Sequence, residues 1–325
     1  MAQYTGIQGQ NILIVSSDPS DPTEGQIWYN TTSNLLKGYA NVVTNAWASG
    51  GNMATATRGS GAAGTQTAAL GFGGYTNTDI ATTQSYNGTS WTNLPANMNT
   101  ARRLLAGVGT QTAALGFGGI STSYLSSSES YNGTSWTNTP SLNTARSGLA
   151  SAGTQTAALG FGGFTPPFSN ASESFNGSTW TNTPSLNTSR AFFGGAGTQT
   201  SALAFGGQPY TTATESWNGS SWTSVNSMNT IRAELTGTGL QTAALAFGGF
   251  TPSPPANSTA TELWNGTSWT SNPTGLATAR RALSGTGTQS LGLAFGGNTG
   301  SPASPSNATE EWTGTALATR TITTS

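Results

Sequence analysis

The chain has 325 residues with a formal net charge of −1; charged side chains make up 6% of it, there are 44 glycines, and cysteine and histidine are absent. Without cysteine there are no disulfides, thiolate metal sites or cysteine nucleophiles, and without histidine there are no Ser-His-acid triads, imidazole bases or usual zinc and copper ligand sets. The ten Lys and Arg are scattered rather than striped along one face, no run of about 20 apolar residues could span a bilayer, and Met1 to Gln10 has no secretory-signal pattern. Nucleic acid and membrane insertion are therefore not expected, and neither is disorder, because ten Trp, eight Tyr and twelve Phe recur at regular places.

In chain order, residues 1–45 come first and form a segment without internal repetition. Within it, Gly25, Ile27, Trp28, Tyr29 and Asn30 read as a strand that turns through Thr31 to Asn34 into Leu35, Leu36, Lys37 and Tyr39, a β-hairpin. Asp18, Asp21 and Glu24 form an acidic cluster. Pro19, Ser20 and Pro22 make it read as a solvated turn before a calcium loop.

From residue 46 to 325 one phrase dominates. GTQTAALGFGG runs from Gly64 to Gly74, Gly109 to Gly119 and Gly153 to Gly163, and returns in variant form at Gly197, Gly239 and Gly287. The period is that of a four-stranded propeller blade of roughly 40–50 residues. The unit after Arg146 parses into SGLASAG, the apolar TQTAALGFGG, ASESFNG, and a strand carrying Trp180. Asn-Gly steps at Asn87, Asn132, Asn176, Asn218 and Asn265 separate the third strand from the Trp-bearing fourth, a hairpin signal read here as a type I′ turn. The small residues of the second strand suggest a place near the axis, where strands converge.

The Gly-Gly pair, the following aromatic (Tyr86, Tyr131, Phe175, Trp217, Trp264, Trp312), the outer Trp and an Arg opening the next unit (Arg102, Arg146, Arg190, Arg232, Arg280) resemble the kelch repeat. The resemblance implies an all-β, kelch-like β-propeller over residues 46–325, of six four-stranded blades, with a seventh built from the N-terminal segment as the alternative. The last unit lacks an outer Trp, so a strand around Trp47 or one from Thr319 to Ser325 would complete it. Copper oxidases also use kelch propellers, but the ligands that chemistry needs are missing here.

Glu129, Glu173, Glu215, Glu262 and Glu310 stand at equivalent points, with Gln84 in the first unit. Recurrence once per unit reads as Arg–Glu bracing of the strands, against the alternative of a charged ring around the axis. Two carboxylates suited to glycoside hydrolysis do not stand out, so no enzyme and no cofactor are expected. The loops after each Gly-Gly, from Tyr75, Ile120, Phe164, Gln208, Phe250 and Asn298, vary in length and sequence. Function on rigid scaffolds concentrates on such loops, which makes Tyr75, Tyr124, Phe164, Phe168, Tyr210 and Phe250 the candidate ligand-binding residues, suited to carbohydrate.

The segment from Ser16 to Tyr39 resembles a short module of bacteriophage tail-fibre and other virion structural proteins, through Gly25, Ile27, Trp28, Tyr29, Asn30, Leu36, Lys37 and Tyr39. That resemblance implies a virion protein of the tail or particle surface. Trp28, Tyr29, Lys37 and Tyr39 would belong to the attachment segment, and the partners would be other virion proteins and a host-surface carbohydrate. The alternatives are a purely structural or decorating subunit, and a cellular kelch adaptor for a protein partner. A fibre attachment would suit a homo-oligomer, although no heptad pattern supports a coiled coil.

Overall fold

The computed structural model describes residues 12–23, 25–300 and 304–322. Among the described residues there is no helix; the chain is all-β and divides into two compact units, Ala46–Thr313 and the combination of Met1–Asn45 with Gly314–Ser325.

The larger unit is a propeller-like succession of antiparallel sheets. The one formed by Ala150–Gly153, Ala158–Phe161, Ser172–Phe175 and Trp180–Thr183 is representative, its strands pairing in that order with Ala150 opposite Phe161, Ala158 opposite Phe175, and Phe175 opposite Trp180. Burial explains the composition of each strand. Ala150–Gly153 alternates buried and half-buried positions, whereas all four residues of Ala158–Phe161 are buried, so both faces of the second strand are covered and it reads as a continuous apolar run. The first strands, not the second, face one another: Gly61–Gly64, Ala106–Gly109, Ala150–Gly153, Gly194–Gly197, Thr236–Leu240 and Ser284–Gly287 pack in succession, and the last returns against the first. The placement of the second strand at the axis is thus corrected. Its small residues instead admit aromatic rings from the neighbouring sheet, as where a Cβ on Gly160 would lie 2.7 Å from the Phe117 ring.

The core lies between sheets. Trp180 packs on Phe117 of the preceding sheet, with ring centroids 4.7 Å apart, and Phe72 with Trp136 and Phe161 with Trp222 repeat the contact. The indole nitrogens reach the same way, Trp136 Nε1 donating to Thr83 Oγ1 and Trp269 Nε1 to Thr214 Oγ1. Trp47 behaves as one of this series: its indole packs on Phe247 and its Nε1 donates to Thr261 Oγ1. The last sheet contains Ser284–Gly287, Leu291–Phe295 and Thr309–Thr321, with Leu35–Ser49 next in order, so the strand carrying Trp47 completes it. The segment from Thr319 does not serve as that strand.

Each Asn-Gly step closes a hairpin, but not through a type I′ turn. Only the glycine has positive φ (Gly88, +90°), and the loop is four residues long, Asn87 to Ser90, between the paired Tyr86 and Trp91. The Asn87 side chain accepts from the backbone N–H of Thr89 and of Ser90, an Asx-type turn that supplies what a tighter backbone turn would have done.

In the smaller unit Leu13–Val15 pairs in parallel with Ile27–Asn30, which is antiparallel to the start of Leu35–Ser49. Asp18 holds it together. Its carboxylate accepts from Trp28 Nε1, Asn30 Nδ2 and Lys37 Nζ, and those bonds, the one from Lys37 foremost, lower its pKa to about 2. With both oxygens engaged, Asp18 serves as an internal hub; Glu24, the third member of the acidic cluster, lies outside the described residues.

Candidate binding face

Each unit of the larger body carries a buried residue, an arginine in five of them and Thr57 in the first, followed by one residue that bridges to the loop after a Gly-Gly pair, and then by a residue in the left-handed region. The last of these are Gly59, Leu104, Gly148, Phe192, Glu234 and Ala282, with φ between 49° and 61°. Their backbones form a head-to-tail ring: Leu104 N–H donates to Gly59 O, Gly148 to Leu104, Phe192 to Gly148, Glu234 to Phe192, Ala282 to Glu234, and Gly59 back to Ala282. Left-handed backbone disfavours side chains, so glycine is natural at Gly59 and Gly148, and the pattern uses that freedom twice. Leu104 lies over Gly59 and Phe192 over Gly148, where an added Cβ would meet the Phe192 ring at 2.5 Å.

The ring surrounds the mouth of an axial cavity of about 180 Å³, walled by the first strands. Its walls are glycine and alanine with leucine and phenylalanine side chains and a few hydroxyls, among them Ser60 and Ser284, whose Oγ atoms are 2.9 Å apart. Glu234 is the charged side chain of the lining; burial pushes its carboxyl up, with Arg281 and Arg58 opposing the shift.

The loops after the Gly-Gly pairs meet this mouth, because the residue preceding each ring member bridges to the first loop residue: Arg58 to Tyr75, Arg103 to Ile120, Ser147 to Phe164, Ala191 to Gln208, Ala233 to Phe250 and Arg281 to Asn298. The candidate aromatics occupy this face and contact one another across loops. Tyr124 meets Phe164, Phe164 meets Phe168 and the ring residue Phe192, and Tyr210 approaches Phe250 at 6.4 Å. Tyr75 lies between two guanidinium groups, Arg58 at 4.7 Å and Arg103 at 5.0 Å, and Arg281 covers Phe250 at 4.6 Å. Tyr210 is the open one of the six, at 38% exposure; the others are half-buried by these contacts.

Sequence reasoning missed the charges here. Arg58, Arg103 and Arg281 share the bridging position, one residue after the recurring arginine or, for Arg58, after Thr57, and belong to units that are consecutive around the hydrogen-bonded ring. The Arg-Arg dipeptides at Arg102 and Arg280 carried the signal. Arg103 pairs with Asp79, and Arg281 Nε lies 3.7 Å from Glu234 Oε2. Arg58 makes no ion pair among the described residues, and its Nε is buried without a hydrogen-bond partner.

The recurring Arg and Glu lie elsewhere. Arg102–Glu129, Arg146–Glu173, Arg190–Glu215, Arg232–Glu262 and Arg280–Glu310 are buried pairs within their units, bracing strands and not lining the axis. In the first unit both members are replaced. The buried Thr57 takes the arginine's place, its carbonyl accepting from Gly297 N–H as the Arg102 carbonyl accepts from Gly74, and Gln84 takes that of the glutamate. A second omission was the Gln of GTQT. Gln155 Nε2 donates to the carbonyls of Ala114 and Tyr131 in the preceding sheet, and Gln66 does the same to Gly292 and Trp312 of the last.

In the smaller unit Trp28 is wholly buried, Lys37 is committed to Asp18, and Tyr29 and Tyr39 are half-buried, while Leu13 (46% exposed) and Ile14 (71%) stand open on the edge strand. Among the described residues no group of three or more acidic side chains could hold a metal ion, and no helix is long and apolar enough to cross a membrane. No protein-family model matches the chain, and no curated protein is similar to it.

Proposed function

We propose that the chain is a non-enzymatic binding protein: a six-bladed, kelch-like propeller displayed on the tail or surface of a virion, whose loop face engages a host-surface carbohydrate. The observation that carries the binding role is convergence. All six variable loops, the aromatic contacts among them and the mouth of the axial cavity share one face, while the sheets behind them repeat nearly unchanged. Flat aromatic surface beside hydroxyls and amides, on a rigid support, suits a polyhydroxylated ligand. Six blades are supported by the six-membered hydrogen-bond ring and by the Gln66 contacts to the last sheet. The virion setting rests on the likeness of Ser16 to Tyr39 to tail-fibre modules.

A second reading is a purely structural subunit that recognises no host. The exposed Leu13 and Ile14, on the strand that ends its sheet among the described residues, favour it, since such an edge invites pairing with another chain. Labelled full-length protein tested on an array of bacterial surface polysaccharides, together with inhibition of particle adsorption, separates the two. Saturable binding with blocked adsorption supports carbohydrate recognition; incorporation into particles with no binding and no inhibition supports the structural subunit.

A further inference from the structure

Charge around the axial mouth is distributed on one side. Five of the arginines in the larger unit are buried in ion pairs, and the remaining three, Arg58, Arg103 and Arg281, form an arc on the binding face. The opposite arc has Ser147, Ala191 and Ala233 at the same positions, bordered by Phe164, Phe168, Phe192 and Phe250. Against three guanidinium groups stand two carboxylates, Asp79 and Glu234, each already facing its own arginine. The arc therefore keeps one net positive charge, and Arg58 is its member without an ion pair among the described residues, although Glu234 also lies within reach of its field.

Arg58 is held ready for a partner. Its guanidinium stacks on Tyr75, which Arg103 also covers, and unlike Arg103 and Arg281 it makes no ion pair among the described residues. It stands beside Gly59 and Ser60 in the cavity lining. A planar cation fixed by stacking, with unused donors beside a concave opening, is the arrangement that favours a carboxylate, whose two oxygens match the guanidinium fork. The cavity, at about 180 Å³, is below the roughly 300–1,000 Å³ of most ligand pockets, so it suits the end group of a longer ligand.

We infer that the carbohydrate taken by this face is acidic: a saccharide whose carboxylate docks on Arg58 at the axial mouth while its ring contacts the aromatic arc. This rests on the carbohydrate reading above and narrows it to a ligand class. Glu234 is held off by Arg281 and sets a negative limit on one side of the opening, giving the site a direction.

The test is calorimetric titration of the full-length protein and of Arg58→Gln with oligogalacturonate and with its neutral methyl ester. Arg58→Lys and melting curves of every variant keep folding in view. The expected result is that the wild type binds the acid and not the ester, that Arg58→Gln weakens acid binding about tenfold or more with melting unchanged, and that Arg58→Lys falls between. Affinity should also drop as salt rises from about 0.05 to about 0.5 M. Equal binding of acid and ester, or acid binding indifferent to Arg58→Gln, overturns the inference and leaves carbohydrate recognition standing. If neither these ligands nor any saccharide on the array binds, carbohydrate recognition itself falls and the inference with it. Should Arg58→Gln melt early, the acid–ester comparison and the salt series on wild type decide alone.

Discussion

Replacing Glu262 by Gln tests the bracing role of the buried ion pairs. Arg232 Nη2 donates to Glu262 Oε1 at 3.0 Å, and its Nη1 to the carbonyls of Gly248 and Ala260 at 2.8 and 2.6 Å. Glu262 in turn accepts from the backbone N–H of Asn229 and Thr230. Both side chains are buried, and burial pushes the Arg232 guanidinium below its ordinary value while Glu262 opposes the shift. Glu262→Gln leaves an uncompensated buried cation, which costs about 3–5 kcal/mol, a large part of the roughly 5–15 kcal/mol that holds a typical domain. The first unit shows how the position survives without charge, through Thr57 and Gln84, with Gln84 exchanging hydrogen bonds with the Thr55 backbone. The double variant Arg232→Thr/Glu262→Gln copies it and should recover about 1–3 kcal/mol relative to the sum of the single changes. Urea unfolding followed by tryptophan fluorescence measures both at constant m value. A loss below about 1 kcal/mol for Glu262→Gln, or a double variant no better than additive, would refute the reasoning.

Asp18 has a pKa lowered to about 2, below its unfolded value, so its stabilisation of the smaller unit is present above about pH 4 and is lost as pH falls toward 2. Asp18→Asn should therefore raise the hydrogen-exchange rate of the Ile27–Asn30 amides at pH 6, and the difference from wild type should vanish near pH 2. Gly148→Ala places a Cβ at positive φ against the Phe192 ring and should lower stability by about 1–3 kcal/mol. Pairing it with Phe192→Gly, which removes the clash, should restore part of that loss in the same urea assay. Gln66→Leu leaves the carbonyls of Gly292 and Trp312 without their donor and should cost about 1–3 kcal/mol, read as faster unfolding in stopped-flow urea jumps.

How much of this was legible beforehand differed by kind of residue. The repeat, the hairpins and the service of Trp47 in the last sheet were readable because each depends on spacing or on a side chain of one obvious kind. The turn type was not, since Asn87 uses its side chain where a type I′ turn would use its backbone. Arg58 was passed over because it falls one place beyond Thr57, outside the register of the recurring arginines, and a shift of one residue moves a side chain from a buried brace to the rim of the cavity. The glutamines of GTQT looked like part of a polar turn; that their amides span two sheets depends on contacts distant in sequence. The candidate aromatics were placed on one loop face, but their mutual stacking could not be seen, because it joins neighbouring units.

Near-identical units carry a hazard, for any of them could take a neighbour's place, within one chain or between two. The junction between the last unit and the first is chemically unlike the rest: Thr57 and Gln84 replace a charged pair, and Tyr86, its phenol pushed up to about 12 by burial and by Glu311, donates to that carboxylate where Tyr131 donates to a backbone carbonyl. These differences act as a label that distinguishes first from last. A succession of interchangeable parts thereby marks its own first and last member, and in two such chains expressed end to end each first unit should pair with the last unit of its own copy.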